Sequence, residues 1–386
     1  MKTKLLFAIS ASSVLCSVLT VAALAQEVKS SGGLTSVTEP KTGPAGSGID
    51  FENARPMPLP NPGVAAPSDV GRFNPPANLG APGVSPGGIG SGAENPIQLF
   101  PPKNLPRFQE SGVTPEEYGT SGQVYTTSQA DAYGDYTVKY YPFRAVGQLH
   151  FLIGPNSYYC SASLIKPGIV VTAGHCVANY GQSQFYKSWT FTPAFQNGTA
   201  PYGVWTTAKA YVVTAYYKGT DSCEQYGVVC PDDVAVLILN SQSGKYPGAT
   251  TGWFGYQTGG YSYNSSHQAE ITQLGYPIAL DGGLYMERTD SQGYTSASSS
   301  NNTIIGSLMT GGSSGGPWVV NLGKPPTLTS PTTFGTAASH NVVVGVTSWG
   351  STNTSPGPKQ EGAAPFTSGN IGNLVTTACG FAPGAC

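Results

Sequence analysis

A general base that works near neutral pH is most often an imidazole, and this chain of 386 residues has only four: His150, His175, His267 and His340. His175 is set apart by its surroundings, "VVTAGHCV", where an apolar strand ends in small residues that bring the ring to the lip of a barrel and Cys176 can pin the loop. A carboxylate able to orient such a ring occurs in "PDDVAVLILN". Asp233 abuts a strand apolar enough to be buried on both faces, so its charge needs a hydrogen-bond donor, and a ring N–H is a suitable one. Asp232, one residue further out, reads as a solvated turn residue. The third stretch is "TGGSSGGPWVV", residues 310–320. A serine hydroxyl becomes a nucleophile only when a base takes its proton, and the resulting oxyanion needs preorganised N–H donors. Glycines let the backbone curl so that the amides of Gly312 and Ser314 converge, while Gly315 and Gly316 leave space for a substrate backbone. On this ground alone either Ser313 or Ser314 could attack.

Positioning three such distant residues requires a rigid frame, and the chain is written as strands. From about Tyr136 onward, segments such as "YTVKYYPFRAVGQLHFLIG", "YYCSASLIKPGIVVTAG", "AKAYVVTAYYKG", "DVAVLILN", "AEITQLGYP", "PWVVNL" and "NVVVGVTSWG" are separated by turn residues. Many short strands at such spacing predict an all-β sandwich or barrel pair, and the one late helix expected lies near Ile371, Leu374 and Val375. Only 10% of residues are charged, the net charge is −2, and no Lys/Arg cluster is present, which argues against nucleic-acid or membrane partners. Scattered histidines and the lack of a carboxylate cluster with calcium-loop spacing imply neither metal nor cofactor.

The first 135 residues differ in texture. Lys2 and Lys4 precede an apolar run, Leu5 to Leu24, that closes on Ala23-Leu24-Ala25, so residues 1–25 read as an export signal. Residues 26–135 read as a pro-region or linker, largely disordered. Fifteen of the 32 prolines fall between Gln26 and Arg107 without strand or helix periodicity. Loss of Cys16 with the signal leaves Cys160, Cys176, Cys223, Cys230, Cys379 and Cys386 in an oxidising compartment, where nearest-neighbour pairing is the simplest of fifteen possibilities.

"TAGHC", "DVAVL" and "SSGGP", in the order His, Asp, Ser, resemble the chymotrypsin-like (trypsin-fold) serine proteases, since other folds with this triad use different orders. The 16-residue step from Cys160 to Cys176 is similar to the disulfide that brackets that family's histidine, and "VTSWGS" to the segment that pairs with the substrate backbone. With "LGYP" and "YYPFRAVGQL", the chain resembles the secreted bacterial branch that includes the glutamyl endopeptidases. The resemblance implies two six-stranded antiparallel Greek-key barrels with a short C-terminal helix over residues 136–386. It implies that Ser314, the serine followed by Gly-Gly-Pro, attacks a peptide carbonyl, His175 shuttles the proton and Asp233 orients the imidazole, with Gly312 and Ser314 as oxyanion donors. Leu308, Met309, Thr310, Thr347, Ser348, Trp349 and Gly350 would line the substrate site. Leu308 stands where trypsin-like members carry the aspartate that selects Lys or Arg. Ser313 stands where they carry an aspartate that pairs with a freed N-terminal amine, so that zymogen switch has no anchor and processing would instead remove an obstructing segment. The implied protein is a secreted monomer acting on proteins or peptides with neutral or apolar preference; the alternative is an inactive homologue serving in binding or adhesion.

Overall fold

A computed structural model describes residues 26–40, 46–60, 84–105, 124–131, 134, 136–258, 268–295, 303–325, 327, 339–350 and 360–386. The expected export signal, Cys16 and His267 lie outside them. Twelve strands form two closed rings. The first contains β1 (Val146–Ile153), β2 (Asn156–Lys166), β3 (Ile169–Thr172), β4 (Lys187–Pro193), β5 (Trp205–Val213) and β6 (Ala235–Leu239). Their antiparallel pairings run β1-β2-β3-β6-β5-β4 and return to β1. The second contains β7 (Gln268–Gly275), β8 (Glu287–Thr295), β9 (Thr303–Gly306), β10 (Pro317–Val320), β11 (Val342–Gly350) and β12 (Gln360–Pro365). Its ring, β7-β8-β9-β12-β11-β10, repeats the connectivity of the first. The two barrels expected from the sequence are therefore present.

Strands such as β3 and β6 are buried along their whole length, as continuous apolar runs demand. Closure leaves no free edge within either ring, and the interior is filled by residues such as Leu149, Phe191, Val236 and Ile271. The helix, Asn373–Phe381, buries Leu374, Val375 and Ala378 and follows a capping box made by Thr367 and Asn370. Disulfides join Cys160–Cys176, Cys223–Cys230 and Cys379–Cys386, the nearest-neighbour pattern.

The described parts of the 26–135 segment depart from the expected disorder. Glu27–Ser31 and Leu34–Thr38 form a hairpin turned by Gly32 and Gly33, both at positive φ, and its second strand pairs antiparallel with β5. Leu34 and Val37 are buried there. Val84–Ser85 pairs with Gly255–Gln257, Ile97–Gln98 with Thr199–Ala200, and Tyr125–Gln129 with β8. The physical reason is that Leu34, Val37, Leu59, Phe100 and Tyr125 are buried and the strands pair with the barrels, a gain that local composition does not reveal.

Candidate active site

The register of β3 against β6 decides where the first two residues meet. Thr172 is opposite Ala235, so His175, three residues beyond the end of β3, and Asp233, two before the start of β6, lie at the same rim. His175 sits in the short helical turn Gly174–Cys176, tied to β2 through the Cys160–Cys176 disulfide. Its backbone N–H donates to Asp233 Oδ1 at 2.7 Å, and its Nδ1 lies 2.8 Å from Asp233 Oδ2. Ser348 Oγ donates to the same Oδ2 at 2.6 Å. Asp233 is buried, so these donors replace the water that its charge has lost. Tyr216 is buried alongside, and burial first, then the charge of Asp233, pushes its phenol well above the ordinary range.

The second barrel supplies the serine. Between β9 and β10 the chain makes a turn in which Ser313 N–H donates to the Thr310 carbonyl. Gly312 has φ +95, and a Cβ there would lie 2.5 Å from the Tyr276 carbonyl oxygen, so only glycine fits. Gly315, at φ +77, is packed so closely on the first barrel that a Cβ would come within 1.9 Å of Thr172 Oγ1 and 2.8 Å of the Ala173 nitrogen. Ser161 of β2 clamps the turn from the other side. Its N–H donates to the Ser314 carbonyl at 2.8 Å, and its hydroxyl donates to the Gly312 carbonyl at 2.8 Å. Gly315 N–H donates to the Thr347 carbonyl, next to the Ser348 that binds Asp233. Ser314, His175 and Asp233 are thus brought to one seam between the barrels. Ser314 Oγ and His175 Nε2 are both buried there without a hydrogen-bond partner.

The other sequence candidates fall out differently. His150 is buried edge-on to Phe51 of the preceding segment, and burial pushes it down to about 3, so it stays neutral. His340 is half-buried just before β11. Asp232 is not the solvated turn residue expected: it is half-buried, and desolvation with the nearby Asp221 charge pushes it up to about 7. Ser313, the other serine, turns its hydroxyl to the Thr310 carbonyl at 2.7 Å. Of the residues expected to line a substrate site, Leu308 and Thr310 are half-buried and Met309 is buried. Thr347 is turned inward, accepting hydrogen bonds from Trp318 Nε1 and Gln273 Nε2. Ser348 is spent on Asp233, and Trp349 packs with Val229 and Ile304. Gly350 presents its N–H to the carbonyl of Pro60 at 3.1 Å.

That last contact belongs to a strap that sequence reasoning missed. Arg55–Pro56 pairs parallel with Tyr158–Tyr159 of β2, and Met57 N–H donates to the Tyr159 carbonyl at 2.9 Å. Gly312 N–H then donates to the Met57 carbonyl at 3.0 Å, and Leu59 is 3% exposed beside Gly350. Met57, Pro58, Leu59 and Pro60 share a hollow with His175, Tyr186 and Tyr216. The alternation "RPMPLP" was the only local signal. Proline at 56, 58 and 60 removes backbone donors from a segment whose carbonyls are taken up by the cleft. Glu361 was also missed. It lies on β12, 0% exposed, against Ser313.

A sequence profile described as Trypsin matches residues 133–369. An extracellular metalloprotease of Bacillus subtilis is 33% identical over 141 residues, 36% of this chain and 40% of the relative. A glutamyl endopeptidase of Bacillus licheniformis is 28% identical over 138 residues, 36% of this chain and 37% of the relative. The chain thus spans about two-fifths of the length of these curated relatives. Among solved structures, a thermostable serine protease from an extremophilic microorganism is similar at 22% identity and a TM-score of 0.47, covering 61% of this chain and 96% of that one.

Proposed function

The chain belongs to the trypsin family, and from that premise we propose that it is a secreted serine endopeptidase, held latent by its own leader, that cleaves after neutral or apolar residues. The observation that carries this reading is the pair of unsatisfied atoms at the seam. His175 Nδ1 is committed to a buried carboxylate, while Nε2 and Ser314 Oγ are left without partners. Both atoms are thus uncommitted to other protein groups, as a proton-transfer pair that meets substrate requires.

In the proposed reaction His175 Nε2 takes the Ser314 proton as Oγ attacks the peptide carbonyl. Asp233 keeps the other ring nitrogen protonated and stabilises the imidazolium. Gly312 N–H receives the developing oxyanion, and the same imidazolium returns its proton to the leaving amine; water then repeats the sequence on the acyl-enzyme. Gly350 N–H holds the substrate backbone. Specificity for Lys or Arg would need an unpaired anion in the substrate site, whereas Leu308 and Met309 are apolar and Glu361 is engaged by Gln273 and Ser313. Export is supported by the basic and apolar N-terminus and by three disulfides.

Latency is supported by the strap, because Met57 and Pro60 use the two N–H groups that this mechanism assigns to substrate. Release of the strap, rather than of the whole leader, is then the activating event, since the hairpin at 27–38 is part of the first barrel's sheet. Profiling the processed protein on a peptide library tests the reading. Ser314→Ala should lower kcat/KM by roughly 10⁴-fold or more, and Ser313→Ala far less. Full activity in Ser314→Ala would defeat the assignment, and dominant cleavage after Lys, Arg or Glu would defeat the specificity.

A further inference from the structure

Glu361 is the one ionisable side chain on β12, and it is completely buried. Its Oε2 accepts from Gln273 Nε2, and its Oε1 lies 3.2 Å from Ser313 Oγ. It also backs Gly350, where a Cβ would lie 3.2 Å from Oε1. The hydrogens around it can be assigned from their partners. Gln273 Oε1 accepts from Ser307 Oγ at 2.8 Å, so its amide hydrogens point to Thr347 and Glu361. Ser313 has a single hydroxyl proton, and that proton goes to the Thr310 carbonyl at 2.7 Å. The contact between Glu361 and Ser313 therefore lacks a proton unless the acid supplies it.

The surroundings favour this neutral form. Strands β9, β10 and β11 and the chain from Gly306 to Gly316 carry no ionisable residue. Strand β7 carries only Glu270, which is exposed, and the strap only Arg55, also exposed. Asp233 is committed to His175 and Ser348. No described cation meets the Glu361 carboxyl, and burial outweighs the opposing influence of the neighbouring Gln273, Ser313 and Ser307 side chains, pushing it up to about 8.

We propose that Glu361 is a positioning residue: as a neutral acid it donates to Ser313 and so holds the Thr310–Ser313 turn that presents Gly312 N–H and Ser314. The role rests on the reading of Ser314 as nucleophile. Ionisation of Glu361 draws the Ser313 proton away from the Thr310 carbonyl and leaves that carbonyl inside without its side-chain donor. The turn then loses one of its two closures, the other being Ser313 N–H to the same carbonyl.

The test compares wild type, Glu361→Gln and Glu361→Ala after processing, using hydrolysis of a neutral peptide from pH 6 to 10 and thermal unfolding over the same range. Gln reproduces the donor and acceptor pattern of the neutral acid and cannot ionise. Wild-type kcat is expected to fall about tenfold by one pH unit above the midpoint near 8, with KM little changed. Glu361→Gln should keep kcat within about threefold at pH 7 and lose the alkaline fall; Glu361→Ala should lose most of kcat throughout. The unfolding arm needs no activity. A neutral buried acid stabilises the fold fully below its unfolded value of 4.5, and that contribution is lost as pH rises through about 8. The difference in melting temperature between wild type and Glu361→Gln should therefore shift in favour of Gln toward alkaline pH. An alkaline fall retained in Glu361→Gln, or melting curves that run parallel at every pH, would overturn the proposal. A processed wild type that hydrolyses nothing would instead overturn the peptidase reading, while the unfolding arm would still report the Glu361 proton.

Discussion

Asp233 receives three hydrogen bonds, two from His175 and one from Ser348, and each constrains the imidazole differently. The backbone bond fixes the turn, the ring bond fixes the tautomer, and the serine fixes the carboxylate oxygen that the ring uses. Asp233→Asn preserves size but presents an amide to Nδ1, which favours the wrong tautomer, and kcat should drop by about 10⁴. Ser348→Ala removes one charge-assisted bond and leaves the backbone in place, so kcat should drop by roughly three- to tenfold with KM nearly constant. Steady-state kinetics on the two variants would check both, and equal losses would mean that Ser348 does more than steady the carboxylate. The local motifs around His175, Asp233 and Ser314 were legible because each is punctuated by its own strand end or glycine turn. Ser348 and Glu361 were not legible in these roles, because their partners are 115 and 48 residues away in the chain.

At the scale of elements, the seam works because β2 of the first barrel carries three attachments. Cys160 holds the histidine turn, Ser161 clamps the serine turn, and Tyr158 and Tyr159 take the strap. The same strand thus aligns the proposed catalytic groups and receives the segment that covers them. Leu59 anchors that segment, and burying a leucine side chain contributes about 1.5–3 kcal/mol. Leu59→Asp in the full chain should loosen the strap and raise the rate of reaction with an active-site-directed phosphonate by about tenfold or more. An unchanged rate would show that the strap is not what limits access. The barrels themselves could be read from runs of β-branched and aromatic residues separated by turns. The leader could not, because its strands at 27–38 and 125–129 find their hydrogen-bond partners on β5 and β8, far along the chain.

For the whole molecule, the architecture separates stability from access. Two rings with the same strand order build a frame without free edges, and the leader adds strands to both while one short stretch crosses the seam. On the proposed reading the frame need not change when the strap is released, unlike a protease whose new N-terminus must insert beside the nucleophile. On the same reading, Ser313 and the neutral Glu361 complete the serine turn before processing, and latency would reside in the strap and not in an unformed site. The most direct measurement is to treat the secreted, processed protein with a fluorophosphonate and map the adduct by peptide mass spectrometry. The account predicts a single label on Ser314 that is lost in His175→Ala and slow in the unprocessed chain; a label on Ser313, or none on the processed protein, would contradict it.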